Sequence, residues 1–511
     1  MKKKIFFTLL VSVIITLSVS SCQDFLDKYP SESVPAAMAI GNANDAEVAI
    51  NGVYHAMASY AYYGRDMVLY AEYKGGDFGI TTTGISGDAL YFFTHTSTSG
   101  AYSDFWSQCY FVLLQVNNIL ECIESGKVDA QTPDDIAKVN SVKGQALTIR
   151  ALVHFDLARL YGYPYLKDNG ASLGAAVVTN TLAASSQLRR NTVAECYEQA
   201  IIDLTEVINS SLLPVTKKNG YINQYGAKSL LARIYLYKGE WENAYTMAKD
   251  VIDNGGYTPY TDANWVDSWK SQFGTESIFE LFVVPSETDL GSTSPCSYFA
   301  PRKNLPDRRE LGPIMVSDQF FDMFKESVHD TDVRWDVFGI DEFGREDPAS
   351  SFYIQDRKGW MMKYEGDGKS TRSAVNIKII RLTEVLLIGA EAALKKSSPN
   401  KTDAASWINI VRKRNPALTD LDGSESINVL LDEVALQRRI DLIGEGHRYF
   451  DVLRTGGTIS YTDGGGIFPQ RQAGGRDATV DWNFNKCVLP IGINEINANP
   501  AIKDQQNPGY N

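Results

Sequence analysis

The sequence predicts a mostly α-helical protein in which paired helices carry a large loop-rich subregion with little β-structure. Apolar residues recur three and four positions apart over long stretches, the period of a helix buried on one face. The stretch 224–253 has the spacing of a tetratricopeptide-like helix pair. Gly, Pro, Asp and aromatic residues instead crowd 62–104 and 255–377, where a short helical period is visible only at 316–326.

Composition narrows the class of function. The 511 residues include 62 acidic and 49 basic side chains, for a formal net charge of −13. General nucleic-acid binding needs a basic footprint, so this balance argues against it. Charged residues are 22% and hydrophobic residues 44% of the chain, as in ordinary globular proteins, so disorder is not expected as the main state.

The N-terminus has the pattern of a bacterial lipoprotein signal. Three lysines at 2–4 precede an uncharged apolar stretch at 5–19, which is too short to span a bilayer. Small residues then lead to Cys22, as in a lipobox, so 1–21 is predicted to be removed and Cys22 to be lipidated. Residues 22–35 form the predicted tether. Ordinary signal cleavage beside an incidental cysteine is the alternative.

The helical periods can be followed along the chain. Residues 44–61 open with polar capping types, and 105–124 places Phe105, Cys109 and Val112 on one face. The next helix, 134–161, opens after Pro133 and ends at Gly162 and Pro164. Further helical periods are predicted at 192–210, 224–238, 241–253, 378–396, 402–414 and 426–443.

The pair 224–238 and 241–253 defines the predicted architecture. Its small and aromatic residues lie where two close helices need them, at Leu231, Ala232, Tyr235, Gly239, Ala244 and Ala248. Such pairs stack on neighbours because one pair cannot bury its own face. We therefore predict a single domain over 36–511, with a helical scaffold at about 36–61, 105–254 and 378–455. The loop-rich ligand-binding subregion covers about 62–104 and 255–377.

Aromatic side chains in the loop-rich stretches are the candidate ligand contacts. Sugars present apolar C–H faces that rings cover and hydroxyl edges that polar groups bond. Three segments offer both kinds of side chain, and the predicted ligand-binding residues are Tyr73, Asp77, Tyr91, Phe92, Tyr298, Phe299, Arg302, Trp335 and Trp360. The alternative for any single ring is that it packs the loop onto the scaffold.

Catalytic and metal signatures are not evident in the sequence. The five histidines are scattered, Gly84-Ile85-Ser86-Gly87 lacks the spacing of a nucleophile elbow, and Gly368-Lys369-Ser370 lacks the first glycine of a P-loop. The five cysteines after Cys22 contain no C-x-x-C pair, so buried thiols are expected, with a Cys109–Cys122 disulfide as the alternative. No enzyme activity, metal or cofactor is predicted.

Short motifs along nearly the whole mature chain resemble the SusD/RagB family of outer-membrane nutrient-binding lipoproteins. The match begins with Cys22-Gln23-Asp24-Phe25-Leu26-Asp27 and runs to a C-terminal Asn507-Pro508-Gly509-Tyr510. Between them lie Trp106-x-x-x-Tyr110, Gly144–Ala151, Ile380–Val385, Gly444–Arg454 and Leu489-Pro490-Ile491. Each motif is weak alone, but their number and order are specific. Gln437 and Gly492 depart from the usual Glu and Pro.

The resemblance implies a SusD-like helical fold and a cell-surface role. It implies binding of an oligosaccharide or polysaccharide, and delivery to a SusC-like TonB-dependent outer-membrane transporter for nutrient import. The protein would be lipid-anchored in the outer membrane and face the exterior. Arg381, Glu384, Glu445 and Arg448 would form buried pairs in the scaffold. The alternatives are a peptide-binding lipoprotein of the same kind of transporter and a structural lid without its own ligand.

Overall fold

A computed structural model describes residues 40–81, 84–99, 103–301, 312–327, 331–339, 359–365, 373–461 and 479–510. The predicted signal peptide, Cys22, the tether and Arg302 lie outside the described residues. The longer described helices, in chain order, are α1 (Ala43–Met57), α2 (Asp66–Gly75), α3 (Ser103–Glu124), α4 (Pro133–Tyr161), α5 (Val193–Asn209), α6 (Gln224–Lys238), α7 (Trp241–Asn254), α8 (Asp318–Ser327), α9 (Leu382–Lys395), α10 (Lys401–Arg412), α11 (Ile427–Asp441) and α12 (Arg448–Arg454).

Local sequence explains where the scaffold helices begin and end. The Thr132 side chain accepts from the backbone N–H of Asp135, whose carboxylate accepts from Thr132 in return, and Pro133 occupies the first turn of α4. Thr192 and Glu195 form the same reciprocal cap on α5. Gly239, with φ of 79°, ends α6 in the left-handed conformation that glycine adopts readily.

The scaffold is a series of packed helix pairs. Helix α4 packs on α3 and α5, α6 on α7, and α9 on α7 and α10. The small residues Ala232, Ala244 and Ala248 are fully buried, as close approach between α6 and α7 requires. The tetratricopeptide-like prediction for this pair is confirmed, and so is the mostly helical class.

The strands of the described residues form four antiparallel two-stranded sheets. Phe78–Ile80 pairs with Ile314–Val316, and Ser277–Leu281 pairs irregularly with Ile377–Arg381. Phe338–Gly339 pairs with Trp360–Met361, and Ile459–Ser460 with Thr479–Val480. The described remainder holds the short helices Asp88–Tyr91, Tyr165–Asp168, Trp265–Ser268, Pro295–Phe299 and Ile493–Ala498, together with 3-10 turns. These small sheets join loop segments to one another and to the scaffold.

The stretch 62–104 is more ordered than the sequence predicted. It contains α2, all ten residues of which are buried, and the strand Phe78–Ile80. Helix α2 is enclosed on all sides and also buries Asp66, Glu72 and Lys74, so its buried residues are not confined to one apolar stripe. The prediction that 62–104 is loop-rich is therefore wrong for residues 66–80.

The predicted helix at 378–396 begins later than its sequence pattern suggests. Residues Ile377–Arg381 form a strand that pairs with Ser277–Leu281, and α9 starts only at Leu382. A short apolar run such as Ile-Lys-Ile-Ile fits a buried strand as well as a helix. In this protein the run forms a strand because Ser277–Leu281 is available to pair with it.

The charged residues of the SusD-like motifs form buried ion pairs. Arg233 of α6 donates to Glu384 of α9 through Nε at 2.7 Å and Nη2 at 2.6 Å.

Arg381 contacts Glu445 at 2.7 Å and Glu276 at 3.2 Å, and also contacts Asp441. We call Glu276, Arg381, Arg414, Asp441 and Glu445 the central ion cluster. Arg448 lies 3.3 Å from Asp77. The expectation of buried scaffold pairs is confirmed.

Cysteines, membrane spans and metal clusters can be assessed for the described residues. Cys109, Cys122, Cys196, Cys296 and Cys487 are buried free thiols, so Cys109 and Cys122 are not paired. Among these residues, no helix is both long and apolar enough to cross a bilayer. The same residues contain no group of three or more His, Cys, Asp or Glu side chains placed to hold a metal ion.

Candidate functional site

Five of the rings predicted as ligand contacts lie inside the body. Tyr73, Tyr91, Tyr298, Phe299 and Trp360 are each at most 5% exposed. Tyr73 donates its hydroxyl to the Ser86 carbonyl at 3.0 Å, and Phe299 stacks on Tyr364 with 5.6 Å between ring centroids. Their burial favours the alternative stated above for single rings, that they pack the loops onto the scaffold.

Asp77 is held by two arginines rather than presented to solvent. Its carboxylate accepts from Arg439 Nε at 2.9 and 3.1 Å and lies 3.3 Å from Arg448 Nε. The residue is 1% exposed. Asp77 thus fixes the end of the α2 segment to α11 and α12, which is a positioning role in the structure.

Phe92 and Trp335 keep part of their surface accessible. Phe92 meets Tyr91 edge-on at 5.1 Å, and Trp335 packs against Phe321, Phe324 and Phe338 at 5.0 to 5.2 Å. The three segments that offer the predicted ligand contacts are 62–104, 285–312 and 335–364. They meet at one point, because Thr81 Oγ1 and Trp360 Nε1 both donate to the Gly312 carbonyl at 3.0 Å. That meeting point is buried.

A cavity of about 350 Å³ opens beside the start of α3. Loop residues 96–99, the first turns of α3, and residues 489–495 enclose it. Apolar and aromatic walls come from Trp106, Tyr161, Leu489, Pro490 and Ile493, and polar groups come from Thr96, Ser97, Thr98, Ser99, Asp104, Ser107, Asn494 and Glu495. We call this cavity the α3 pocket. Two further cavities measure about 20 and 10 Å³, little more than a water molecule needs.

Backbone hydrogen bonds hold the walls of the α3 pocket in place. The Ile493 N–H donates to the Ser97 carbonyl at 2.9 Å, and the Leu489 N–H donates to the Leu160 carbonyl at 2.8 Å. Trp106, which is 7% exposed, meets Tyr161 edge-on with 4.7 Å between centroids. The pocket therefore joins a rigid aromatic wall to a rim of hydroxyl groups.

Asp104 connects the α3 pocket to one of the predicted residues. The Tyr60 hydroxyl donates to Asp104 Oδ2 at 2.9 Å, and this bond raises the pKa of Tyr60. The Arg65 guanidinium lies 5.0 Å from the centroid of the Tyr60 ring and 5.4 Å from that of Tyr298. Arg65 is paired with Asp66 at 2.6 Å, and burial raises the pKa of Asp66 to about 6.

The residues of the α3 pocket were not singled out from the sequence as ligand contacts. Trp106 fitted a helical apolar face, and Leu489 and Pro490 belonged to a scaffold motif. The overlooked signal was the hydroxyl run Thr96–Ser99 followed closely by Asp104 and Trp106. Hydroxyl, carboxylate and aromatic groups so close together are typical of polar ligand sites.

Comparisons with known proteins cover nearly all of the chain. The family model described as SusD family matches residues 326–510, and the model described as starch-binding associating with outer membrane matches 24–236. A SusD superfamily structure from Bacteroides thetaiotaomicron superposes with a TM-score of 0.81 at 31% identity, over 91% of this chain and 100% of that one. This chain belongs to the SusD family.

Other SusD relatives also match this chain over nearly its whole length. A putative sugar-binding protein from Bacteroides vulgatus gives a TM-score of 0.78 at 31% identity, over 93% of this chain and 100% of the other. SusD-like protein P2 from Formosa agariphila is 25% identical over 98% of each chain. The chain thus spans the full length of these SusD relatives, and the helical scaffold is their shared feature.

Proposed function

We propose that this SusD-family protein captures oligosaccharides or polysaccharides at the cell surface and that the α3 pocket is its binding site. The observation that carries the proposal is a cavity in which an apolar wall faces a rim of Ser, Thr, Asn and carboxylate groups; the wall consists of Leu489, Pro490, Ile493 and the largely buried Trp106 and Tyr161. Apolar groups contact the C–H faces of sugars, and such polar groups bond their hydroxyls. Two comparisons support a glycan ligand: the family description of starch binding, and the structural similarity to the putative sugar-binding protein from Bacteroides vulgatus.

We further propose a lipid anchor at Cys22 and delivery of the glycan to a SusC-like TonB-dependent transporter. The lipobox-like sequence before Cys22 supports the anchor. The matched family description, with its association to the outer membrane, supports the location. Each buried acyl CH₂ contributes about 0.8 kcal/mol, so two or three chains hold a protein firmly. The role is binding without catalysis.

Some residues predicted from the sequence remain proposed ligand contacts. Phe92 and Trp335 keep accessible ring surface, and Arg302 has a side chain suited to sugar hydroxyls. Tyr298 would act indirectly, because Arg65 links it to Tyr60 and so to Asp104. Buried Tyr73, Tyr91, Phe299, Trp360 and the arginine-bound Asp77 would support the loops that surround the ligand.

Affinity for a free glycan should be modest. Hydrogen bonds to sugar hydroxyls replace bonds to water, so each contributes only about 0.5–1.5 kcal/mol. Tethering beside a transporter compensates, because it raises the effective concentration of captured ligand at the transporter entrance.

A steric block of the α3 pocket tests this function. Ser107 lines the pocket, is exposed, and donates its hydroxyl to the Asp104 carbonyl at 3.0 Å. Ser107→Trp should place a large side chain at the entrance and abolish glycan binding. The measurement is calorimetric titration of the full-length protein, held in a detergent without a sugar headgroup, against a polysaccharide panel and a peptide digest.

Ser125→Trp is the matched control for that block. Ser125 is also exposed and donates to a carbonyl three residues earlier, at 3.2 Å, but it follows the opposite end of α3. The two positions are eighteen residues apart along the helix direction, a distance of about 27 Å. Saturable glycan binding lost only in Ser107→Trp supports the proposal. Binding of peptides alone, or silence against every ligand, would favour the peptide-binding or lid alternatives.

A further inference from the structure

The aromatic ring of Tyr60 is accessible beside the α3 pocket. Tyr60 follows α1 and is 40% exposed, whereas Tyr62 and Tyr63, the next two tyrosines along the chain, are buried. The Tyr60 hydroxyl donates to Asp104 Oδ2 at 2.9 Å, and Asp104 lines the α3 pocket. Tyr60 does not itself line the cavity, so its ring lies just outside, on the side of Asp104.

Neighbouring groups hold the Tyr60 ring in one position. The Arg65 guanidinium lies over the ring, 5.0 Å from its centroid, and Arg65 is buried. That face of the ring therefore points into the protein, and the accessible surface belongs to the rest of the ring. Arg65 is paired with Asp66 at 2.6 Å, and the Asp66 backbone N–H donates to the Tyr60 carbonyl at 2.9 Å. Because the ring is already fixed, a ligand that contacts it has little side-chain motion to arrest.

The α3 pocket alone is small for a polysaccharide. Its volume of about 350 Å³ lies near the lower end of the range of small-molecule sites, roughly 300–1,000 Å³. A longer chain must therefore leave the cavity and cross the adjoining surface. Tyr60 places an aromatic ring on that surface, and rings cover the apolar C–H faces of sugars. The exposed Asp104 carboxylate, which joins the ring to the cavity, can accept from a sugar hydroxyl.

We propose that Tyr60 forms a second sugar subsite beside the α3 pocket, so that the site prefers glycan chains long enough to occupy both. This inference rests on the proposed function and deepens it. The ligand class becomes an oligosaccharide or polysaccharide segment, with one sugar unit whose C–H face is free to lie on Tyr60. Single exposed apolar side chains are common on protein surfaces. Tyr60 differs because its ring is fixed and its hydroxyl is bonded to a residue of the pocket.

Oligosaccharides of increasing length test the inference. Calorimetric titration of the full-length protein, in the detergent without a sugar headgroup, would use α-1,4-linked and β-1,4-linked glucose as mono-, di-, tetra- and hexasaccharides. The same lengths cut from any polysaccharide that binds in the wider panel would be added. Affinity should rise with length until the chain reaches both subsites. A monosaccharide that binds as tightly as its hexasaccharide would overturn the inference.

Removing the ring should weaken long chains most. Tyr60→Ala should lower the affinity for the hexasaccharide about tenfold and flatten the rise of affinity with length, because only the second subsite loses its contact. Tyr60→Phe keeps the ring and loses the hydroxyl, so its affinity should stay within about threefold of that of the natural protein. Equal losses at every length that binds, or no loss in Tyr60→Ala, would contradict a second subsite at Tyr60.

Tyr245 provides the matched control. It lies on α7, is partly exposed and donates its hydroxyl to Asp403 at 2.6 Å, and the Lys396 amine lies 4.9 Å from its ring centroid. Tyr245 thus shares the carboxylate and the cation of Tyr60 but is not in the lining of the α3 pocket. Tyr245→Ala should leave the affinity unchanged at every length. Tyr60→Leu, which keeps an apolar side chain over Arg65 without a ring, replaces Tyr60→Ala if urea denaturation shows that the alanine variant is unfolded.

Failure of this inference is distinguishable from failure of the proposed function. Glycan binding that Ser107→Trp abolishes, but that Tyr60→Ala leaves intact at every length, would keep the α3 pocket as the site and remove the second subsite. The absence of binding by every glycan would remove both.

Discussion

Carboxylates behave differently in the central ion cluster and in the α3 pocket. In the cluster, Asp441 and Glu445 are buried, and Arg381 donates hydrogen bonds to both. In the pocket, Asp104 and Glu495 line a cavity whose described walls contain no basic side chain. The comparison teaches that burial among arginines distinguishes the carboxylates of the cluster from the more accessible carboxylates that line a cavity.

The pKa of Asp441 reflects its pairing with arginines in the central ion cluster. Burial alone would raise the pKa of Asp441, but Arg381, Arg414 and Arg334 outweigh burial and hold that pKa well below its usual range. Charge in the cluster is thus compensated internally and contributes little field outside. Asp104 is exposed and Glu495 is only partly buried, so solvent reaches both pocket carboxylates.

Removing an arginine from the central ion cluster should have the largest effect. Arg381→Met leaves Glu276, Asp441 and Glu445 partly uncompensated in the interior, so the free energy of unfolding should fall by about 3–5 kcal/mol. Urea denaturation of the full-length protein measures the loss. Arg381→Lys keeps the charge but not the planar fork, and should lose less. An unchanged unfolding midpoint in Arg381→Met would contradict the claim that the buried ion pairs of Arg381 stabilise the fold.

Glu72 is a buried carboxylate whose hydrogen bonds, within the described residues, involve no basic side chain. Its Oε1 accepts from the Gly446 N–H at 2.9 Å, and its buried Oε2 has no hydrogen-bond partner in the described part of the chain. Burial raises the pKa of Glu72 to about 8. The unfolded chain releases this proton near pH 4.5, so the stability that Glu72 contributes is full below that pH and is lost as pH approaches 8.

Glu72→Gln removes that titration. Each pKa unit corresponds to about 1.4 kcal/mol, so the stability of the natural protein relative to Glu72→Gln should fall by several kcal/mol between those two pH values. Urea denaturation of both proteins across the range measures the difference. Glu384 stays ionised throughout this pH range. Burial raises the pKa of Glu384, but Arg233 outweighs burial and the pKa is lowered to about 2. A difference independent of pH would contradict the assignment.

The scaffold was more predictable from sequence than the site, for a physical reason. Helices such as α1 and α5 bury one stripe, so period and caps reveal them. Helix α2 is buried all round and produced no period, while Ile377–Arg381 depended on a distant partner strand. The α3 pocket combines residues near 96–107 with 489–495, and spacing along the chain does not encode that contact.

Two glycines in the loop after α2 separate backbone conformation from close packing. Gly84 and Gly87 both have positive φ, 78° and 97°, but a Cβ on Gly84 would meet open space. A Cβ on Gly87 would lie 2.3 Å from the buried Tyr73 ring. Gly84→Ala should cost about 1 kcal/mol of conformational strain, and Gly87→Ala should cost clearly more. Equal losses in urea denaturation would show that Tyr73 does not hold this loop tightly.

An exposed ion pair should show the smallest effect and complete the comparison. Arg189 donates two hydrogen bonds to Asp504 at 2.9 and 3.0 Å, a geometry as good as that of Arg381 with Glu445. The two side chains are, however, 56% and 69% exposed, so water replaces each partner when the other is removed. Arg189→Ala should therefore leave the unfolding midpoint unchanged within error. A loss comparable to that of Arg381→Met would mean that hydrogen-bond geometry, rather than burial, determines what a paired charge contributes to stability.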